Sequence, residues 1–230
     1  MQKATRWLRD NGLVLVFFGL FFLSLSGQAF TGFRSHNQAL RDHGRPPAGF
    51  LAYLGTGDFL DGVFSNWQAA FLQLGSLIVF SCVLRQRGAS HSRKPGSRGP
   101  NGARPSVMHR AGARTRRPEA RGDVARSDSW WYRNSLSLAF GFLFLFSFLA
   151  HAYFGADAEN FTRSLQGEVP WSVAAYVGSP TFWRSTVQTW QAEFVAIAVY
   201  LVLSIFLRQE GSAESKPVES SNEETGKSNE

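Results

Sequence analysis

The stretch Trp67-Gln68-Ala69-Ala70-Phe71 returns 123 residues later as Trp190-Gln191-Ala192-Glu193-Phe194. One such match inside apolar sequence carries little weight. Extending it at the same spacing, without a gap, decides the fold. Upstream it pairs Trp7 with Trp130, Asn11 with Asn134, Leu13 with Leu136, Phe17 with Phe140, Ser24 with Ser147 and Gly32 with Gly155. It continues through Asn37/Asn160, Gly44/Gly167, Pro47/Pro170, Tyr53/Tyr176, Gly55/Gly178 and Phe59/Phe182. Downstream Leu84-Arg85-Gln86 meets Leu207-Arg208-Gln209, and Gly88 meets Gly211. Many matches fall outside the apolar runs, so shared apolarity does not explain them. A self-match at one fixed spacing marks an internally repeated architecture.

Each repeat holds two apolar blocks, at about 13–30 and 63–84, then 136–154 and 190–207. A helix needs about 20 mostly apolar residues to cross a hydrocarbon core of roughly 30 Å. The first and third blocks are apolar on every side, unlike a soluble core helix with its polar face. Phe140, Phe142, Phe144, Phe146 and Phe148 alternate as a strand would. The residues between them are not uniformly polar, and a lone strand in lipid leaves its backbone unpaired. Helix is the reading.

Lys3, Arg6 and Arg9 followed by the first block resemble a cleavable signal, with Gly27-Gln28-Ala29 as a small-x-small site. The repeat opposes this, because the counterpart of the first block is internal. The expected fold is therefore an all-α membrane protein with four transmembrane helices, at about 12–32, 63–84, 135–155 and 188–207. They form two tandem parallel helical hairpins, 5–88 and 129–211, each with a loop of about 30 residues. A unit with two crossings returns to its starting side, so the halves are related by an axis along the membrane normal. A disordered Arg-rich linker (89–128) and a disordered acidic tail (212–230) complete the chain.

The whole-chain averages conceal this segregation. Lys and Arg total 24 against 17 Asp and Glu, for a net charge of +7. The pI near 10.1 and mean hydropathy of −0.15 alone suggest a basic soluble protein. The basic residues are concentrated: Lys3, Arg6 and Arg9 precede the first block, and twelve Arg with one Lys lie within 85–133. The two intra-repeat loops are balanced. By the positive-inside rule both termini and the linker are cytoplasmic and both loops face outward. The linker is too poor in large apolar residues to order itself. It reads as a spacer whose arginines, Arg114, Arg116 and Arg117 among them, contact anionic lipid. No aromatic platform interleaves with them, so nucleic acid is not an expected partner. The single cysteine, Cys82, excludes an intramolecular disulfide and reads as an apolar side chain.

Ionisable or polar groups inside spans are the site candidates. Glu193 stands near the start of the fourth block, where it is either interfacial, complementing the helix dipole, or a ligand, ion or proton group. Gln28 and His151 are repeat mates; Gln68 and Gln191 follow the repeated tryptophans. Trp67 and Trp190 read as interface anchors. Ser65/Ala69 and Ala192/Ala196 have the small-xxx-small spacing of closely packed helices. His36 and His43 match no zinc spacing. Neither a metal nor a cofactor is expected, and there is no phosphate loop, nucleophile elbow or triad motif.

The first helix ending in Gly27-Gln28-Ala29-Phe30, the Tyr53-Leu54-Gly55-Thr56-Gly57-Asp58-Phe59 loop and the repeated Trp-Gln-x-x-Phe resemble a family of small bacterial membrane proteins known only as a domain of unknown function. The resemblance covers 5–90 and 128–212. It implies a bacterial inner-membrane location and transfers no activity. The expected role is a non-enzymatic structural or interaction protein of the cell envelope, with the bilayer, a membrane-protein partner or a second copy of the chain as partner. The alternative is a small transporter or channel with a pathway between the repeats.

Overall fold

The computed structural model describes residues 2–90, 92 and 129–226. Among these every regular element is helical: α1 (Gln2–Asp10), α2 (Gly12–Asp42), α3 (Phe50–Leu54), α4 (Gly57–Val83), α5 (Trp130–Arg133), α6 (Ser135–Leu165), α7 (Val173–Val177) and α8 (Pro180–Phe206). Four helical segments, Gly12–Asp42, Phe50–Val83, Ser135–Leu165 and Pro180–Phe206, are long and apolar enough to cross a membrane. Their apolar side chains face outward: Leu13, Phe17, Phe18, Phe22 and Leu23 are each more than half exposed. That pattern is stable against lipid and unfavourable against water.

The bounds of α6, α7 and α8 follow from those of α2, α3 and α4 by adding 123 residues, at both ends of every helix. The helices outrun the expected spans. α2 and α6 continue ten residues past 32 and 155, while α4 and α8 begin six and eight residues before 63 and 188. Apolarity set the expected limits, whereas the added turns are amphipathic. Buried Ala29, His36, Asn37 and Leu40 keep a three-to-four-residue rhythm along one face of α2. A 31-residue helix is about 46 Å long at 1.5 Å per residue, longer than the roughly 30 Å hydrocarbon core. The loop of about 30 residues shrinks to 43–56, which holds α3.

Gly44 (φ +68°) and Gly167 (φ +74°) end α2 and α6. A left-handed residue there lets the chain turn back and satisfy helix carbonyls. The Arg45 N–H accordingly reaches the Leu40 carbonyl at 2.8 Å, and the mate Glu168 reaches Arg163 at 2.9 Å.

The chain divides into two compact units. The first comprises residues up to Gln68 together with Phe146–Val187. It holds two apolar clusters. Ala29, Tyr53, Phe59 and Val63 form one; Ala152, Tyr176 and Phe182 belong to the other, with Ala156. The first three members of each are repeat mates. Each tyrosine lies against a helix glycine: a Cβ on Gly155 would stand 2.7 Å from the Tyr176 hydroxyl, and Gly32 meets Tyr53 in the same way. Asn37 pins its connection by exchanging two hydrogen bonds with the Ala48 backbone, 3.1 and 2.7 Å. Asn160 does the same to Trp171, at 2.9 and 2.6 Å, again 123 residues on.

The second unit comprises Ala69–Leu145 and Gln188–Glu230. Phe71 packs on Phe140 (6.3 Å) and Phe144 on Trp190 (6.3 Å). The Gln73 side chain donates to the Glu193 carbonyl across α4 and α8 at 2.8 Å. Beyond α8 the chain runs in turns through 226. Arg208 donates to the Ser220 carbonyl (2.8 Å), the Gly226 N–H to the Ala89 carbonyl (3.1 Å), and buried Lys216 to three backbone carbonyls. Burial and the nearby Arg208 lower the Lys216 pKa, against an opposing pull from Glu224.

Candidate functional site: buried histidine–aspartate pairs

In the first unit, the beginning of α4 meets two buried histidines with carboxylates that keep access to solvent: Asp58 is exposed and Asp61 partly so. Its first turns carry Asp58 and Asp61, three residues apart and so on neighbouring faces. Asp58 Oδ2 lies 2.8 Å from His36 Nδ1, on α2 of the same repeat. Asp61 Oδ1 lies 2.6 Å from His151 Nδ1, on α6 of the other repeat. Both rings are buried and both rest on aromatics. His36 stacks on Phe161 (4.3 Å between centroids) and His151 on Phe182 (5.0 Å).

His151 is wholly buried, and its second nitrogen is also engaged, 3.1 Å from the Thr186 hydroxyl on α8. An acceptor at Nδ1 favours the tautomer that donates there, leaving Nε2 to accept from the hydroxyl. The chain Asp61–His151–Thr186 thus ties α4, α6 and α8 together. Asp61 is not fully dry, with 23% of its side chain exposed. A Cβ built on Gly155 would lie 2.8 Å from Asp61 Oδ1 as well as close to the Tyr176 hydroxyl, so both oxygens border the same space. Burial, then Asp61 and Glu159, push the Tyr176 pKa up to about 12, keeping the phenol protonated.

A third carboxylate completes the cluster. Asp157 on α6 accepts from the Gly57 N–H, the first of α4, at 2.7 Å. Helix-start N–H groups lack intrahelical partners and attract negative charge. The mate of Gly57 is Pro180, which has no N–H to satisfy. One repeat thus caps its second helix with a carboxylate from the other, and the other removes the donor. Arg45 also reaches across, donating to the Ser164 hydroxyl at 3.0 Å and to the Ser164 carbonyl.

Of the sequence candidates, the structure brings His151 into this cluster. Gln28, its mate, instead approaches Gly62: its side-chain nitrogen would stand 2.8 Å from a Cβ there. Gln68 is wholly buried, and neither amide atom has a hydrogen-bond partner among the described residues. Gln191 is exposed. Glu193 is partly buried and falls at the middle of α8, thirteen residues from each end, or about 20 Å along the axis. The dipole argument for Glu193 therefore fails, since that effect is confined to the first turn. Trp67 and Trp190 stand ten residues inside α4 and α8 rather than at their starts, because both helices begin earlier than expected. Trp67 packs on Phe21 (6.0 Å) and Phe64. Ala192 and Ala196 are exposed, so among the described residues their spacing serves no close helix contact. Arg114, Arg116 and Arg117, with nearly all of the linker, lie outside the described residues.

Sequence reasoning missed Asp58, Asp61, Asp157, His36, Tyr176 and Thr186. The aspartates were read only as charges balancing a loop. A usable signal existed: Asp58 and Asp61 have mates Thr181 and Arg184, so the first repeat places acids where the second does not. Among the described residues no three His, Cys, Asp or Glu side chains gather as a metal site.

Four long apolar helices carrying a small polar cluster around two buried histidines define a helical, multi-pass membrane class of protein. Within that class the chain belongs to the family described as Domain of unknown function (DUF6766), whose model spans residues 4–227. No curated protein and no solved structure matches it.

Proposed function

We propose that this chain is a duplicated, non-enzymatic membrane scaffold of the bacterial inner membrane, acting through contacts with other membrane proteins or a second copy of itself. The observation that carries this reading is the Asp61–His151–Thr186 chain: its buried groups bind one another and fasten three helices. The mirrored asparagine hydrogen bonds and the shared 123-residue spacing of the helices support the duplication. The basic residues before α2 and within 85–133 support cytoplasmic termini and linker, with both hairpin connections outside.

Reporter fusions test the arrangement. Fusions at Gly99 and Glu230 are expected to report cytoplasm, and one at Gly44 the outside; a cytoplasmic Gly44 overturns it. A second reading, a small transporter, is favoured by Glu193, a partly buried carboxylate at the middle of an apolar helix. Proteoliposomes separate the two. Proton or ion flux that falls on Glu193→Gln supports transport, while flux indistinguishable from empty vesicles supports the scaffold.

A further inference from the structure

A row of polar side chains is left bare on α8. Arg184, Gln188 and Gln191 stand four and then three residues apart, on one helical face. All three are exposed, and among the described residues none takes a hydrogen bond or an ion pair. Gln191 lies eleven residues from Pro180, about 16 Å along a helix of about 40 Å. At that depth in a bilayer the surroundings are hydrocarbon, where polar side chains turn to protein partners rather than to lipid. Beside the row, Ala192 and Ala196 keep the spacing that lets two helices approach closely, and both are exposed.

The first repeat uses the corresponding row. The mates of Arg184, Gln188, Gln191 and Ala192 are Asp61, Ser65, Gln68 and Ala69. Asp61 holds His151 of α6 at 2.6 Å, and Ser65, Gln68 and Ala69 are buried. The α6 side of that contact carries Ser147 and His151, both wholly buried. Their mates on α2 are Ser24, which is exposed, and Gln28, which is half-buried. The row that α4 turns to α6 is thus bare on α8, and the row that α6 turns to α4 is largely bare on α2. The chemistry of the two bare rows matches. A guanidinium needs an acceptor, which the Gln28 amide oxygen supplies, and Gln188, Gln191 and Ser24 both donate and accept. The direction matches too. Gly57 meets Asp157 and Asp61 meets His151, so α4 and α6 run oppositely; α8 and α2 of two copies inserted the same way also do.

We propose that a second copy of the chain supplies the missing half: its α2 row, Ser24 and Gln28, covers the Arg184–Gln188–Gln191 row of the first, as α6 covers α4 within each chain. The inference rests on the scaffold reading above and deepens it, by naming the partner and the two faces that meet. The contact joins two different rows, so it runs head to tail, the kind of contact that builds rings.

The test uses full-length chains carrying Cys82→Ser. Two differently tagged forms, Gln28→Cys and Arg184→Cys, are co-expressed and treated in membranes with a short bis-methanethiosulfonate linker. Linkage between the two forms is expected, with neither form linking to itself. A second pair, Ser24→Cys with Gln191→Cys, should behave in the same way. Arg184→Cys linked to itself would mean a symmetric contact between two α8 helices. No linkage in either pair would mean that lipid or another protein covers the row. Each of these results overturns the proposal. Energy transfer between donor- and acceptor-labelled chains diluted in vesicles reads the affinity. Arg184→Ala should weaken association about tenfold, the contribution of one hydrogen bond to a charged group. Ala192→Leu, which widens the exposed face, should weaken it as well. An affinity unaltered by either substitution overturns the proposal. Ion flux through Glu193 would overturn the scaffold reading and leave this contact standing, whereas failed linkage removes the contact and leaves a scaffold that binds other proteins.

Discussion

Uncoupling Asp61 from His151 probes the buried cluster most directly. Besides stacking on Phe182, His151 makes two hydrogen bonds, to a carboxylate at 2.6 Å and to the Thr186 hydroxyl at 3.1 Å. They should differ in strength. Hydrogen bonds to charged groups contribute about 1.5–3 kcal/mol. Neutral interhelical bonds in membrane proteins average about 0.6 kcal/mol, because the unfolded helices find other partners in the bilayer. Thr186→Val, which installs the residue its mate Val63 already is, should therefore cost about 0.6 kcal/mol. His151→Ala should cost about 3–5 kcal/mol, the range for stranding one member of a buried pair. The residual exposure of Asp61 holds the loss toward the lower end, since water can reach the stranded carboxylate. In a double-mutant cycle with Asp61→Ala, the terms for lost packing on Phe182 cancel, leaving a coupling of about 1.5–3 kcal/mol. The assay is reversible unfolding in mixed micelles followed by tryptophan fluorescence. A coupling within about 0.5 kcal/mol of zero, the additivity expected of independent sites, would refute the claim that this pair fastens the helices.

Three further outcomes follow from the same geometry. Gly155→Ala should destabilise by about 1–3 kcal/mol through overpacking, because its methyl meets Tyr176 and Asp61 at 2.7–2.8 Å. Gly141→Ala, with nothing within 4 Å, should stabilise by about 0.5–1 kcal/mol; thermal unfolding of the two variants should move in opposite directions. Asp157→Ala should cost about 1 kcal/mol by stripping the Gly57 N–H of its acceptor, seen as faster hydrogen exchange at the start of α4. Tyr176 has a raised pKa in the folded protein, so its contribution is fully present below pH 10 and is lost as pH rises toward about 12. Burial raises other phenols as well, so alkaline absorbance titration should show several late phenolates, of which the one near pH 12 is absent from Tyr176→Phe.

The architecture was legible because two signals reinforced one another. Apolar length marked the spans, and the 123-residue match fixed their pairing, so that α2/α6 and α4/α8 agree to the residue. Helix ends were misjudged where apolarity faded before periodicity did. His36, Asn37 and Leu40 are buried on a face of α2 that composition alone reads as loop. The polar cluster was illegible for another reason. His151 was visible as an ionisable group in a span, but its partner lies 90 residues away on the other repeat. Nothing in the spacing of Asp61 names His151; only the packing of α4 against α6 brings them together.

That packing also explains where the repeats diverge. Residues that build each half against itself are retained: the Gly–Tyr contacts, Phe59/Phe182 and the Asn37/Asn160 hydrogen bonds. The polar residues that join one half to the other in the first unit differ from their mates. Asp61, His151, Asp157 and Gly57 stand opposite Arg184, Gln28, Arg34 and Pro180. A heterologous contact uses two different patches, and nothing requires the mate positions to copy it. A carboxylate at position 61 takes a donor at position 151, whereas Arg184 and Gln28, the mates of that pair, supply no carboxylate and can meet only as a guanidinium donating to an amide oxygen. The divergence therefore favours one contact between the halves over its mirror image. Exchanging the pair across the repeats, with Asp61→Arg and Arg184→Asp together with His151→Gln and Gln28→His, tests this directly. If the scaffold is as symmetric as its retained residues suggest, the four-fold variant should recover much of the stability that either half of the exchange removes, and no recovery in the same unfolding assay would show that the asymmetry reaches the backbone.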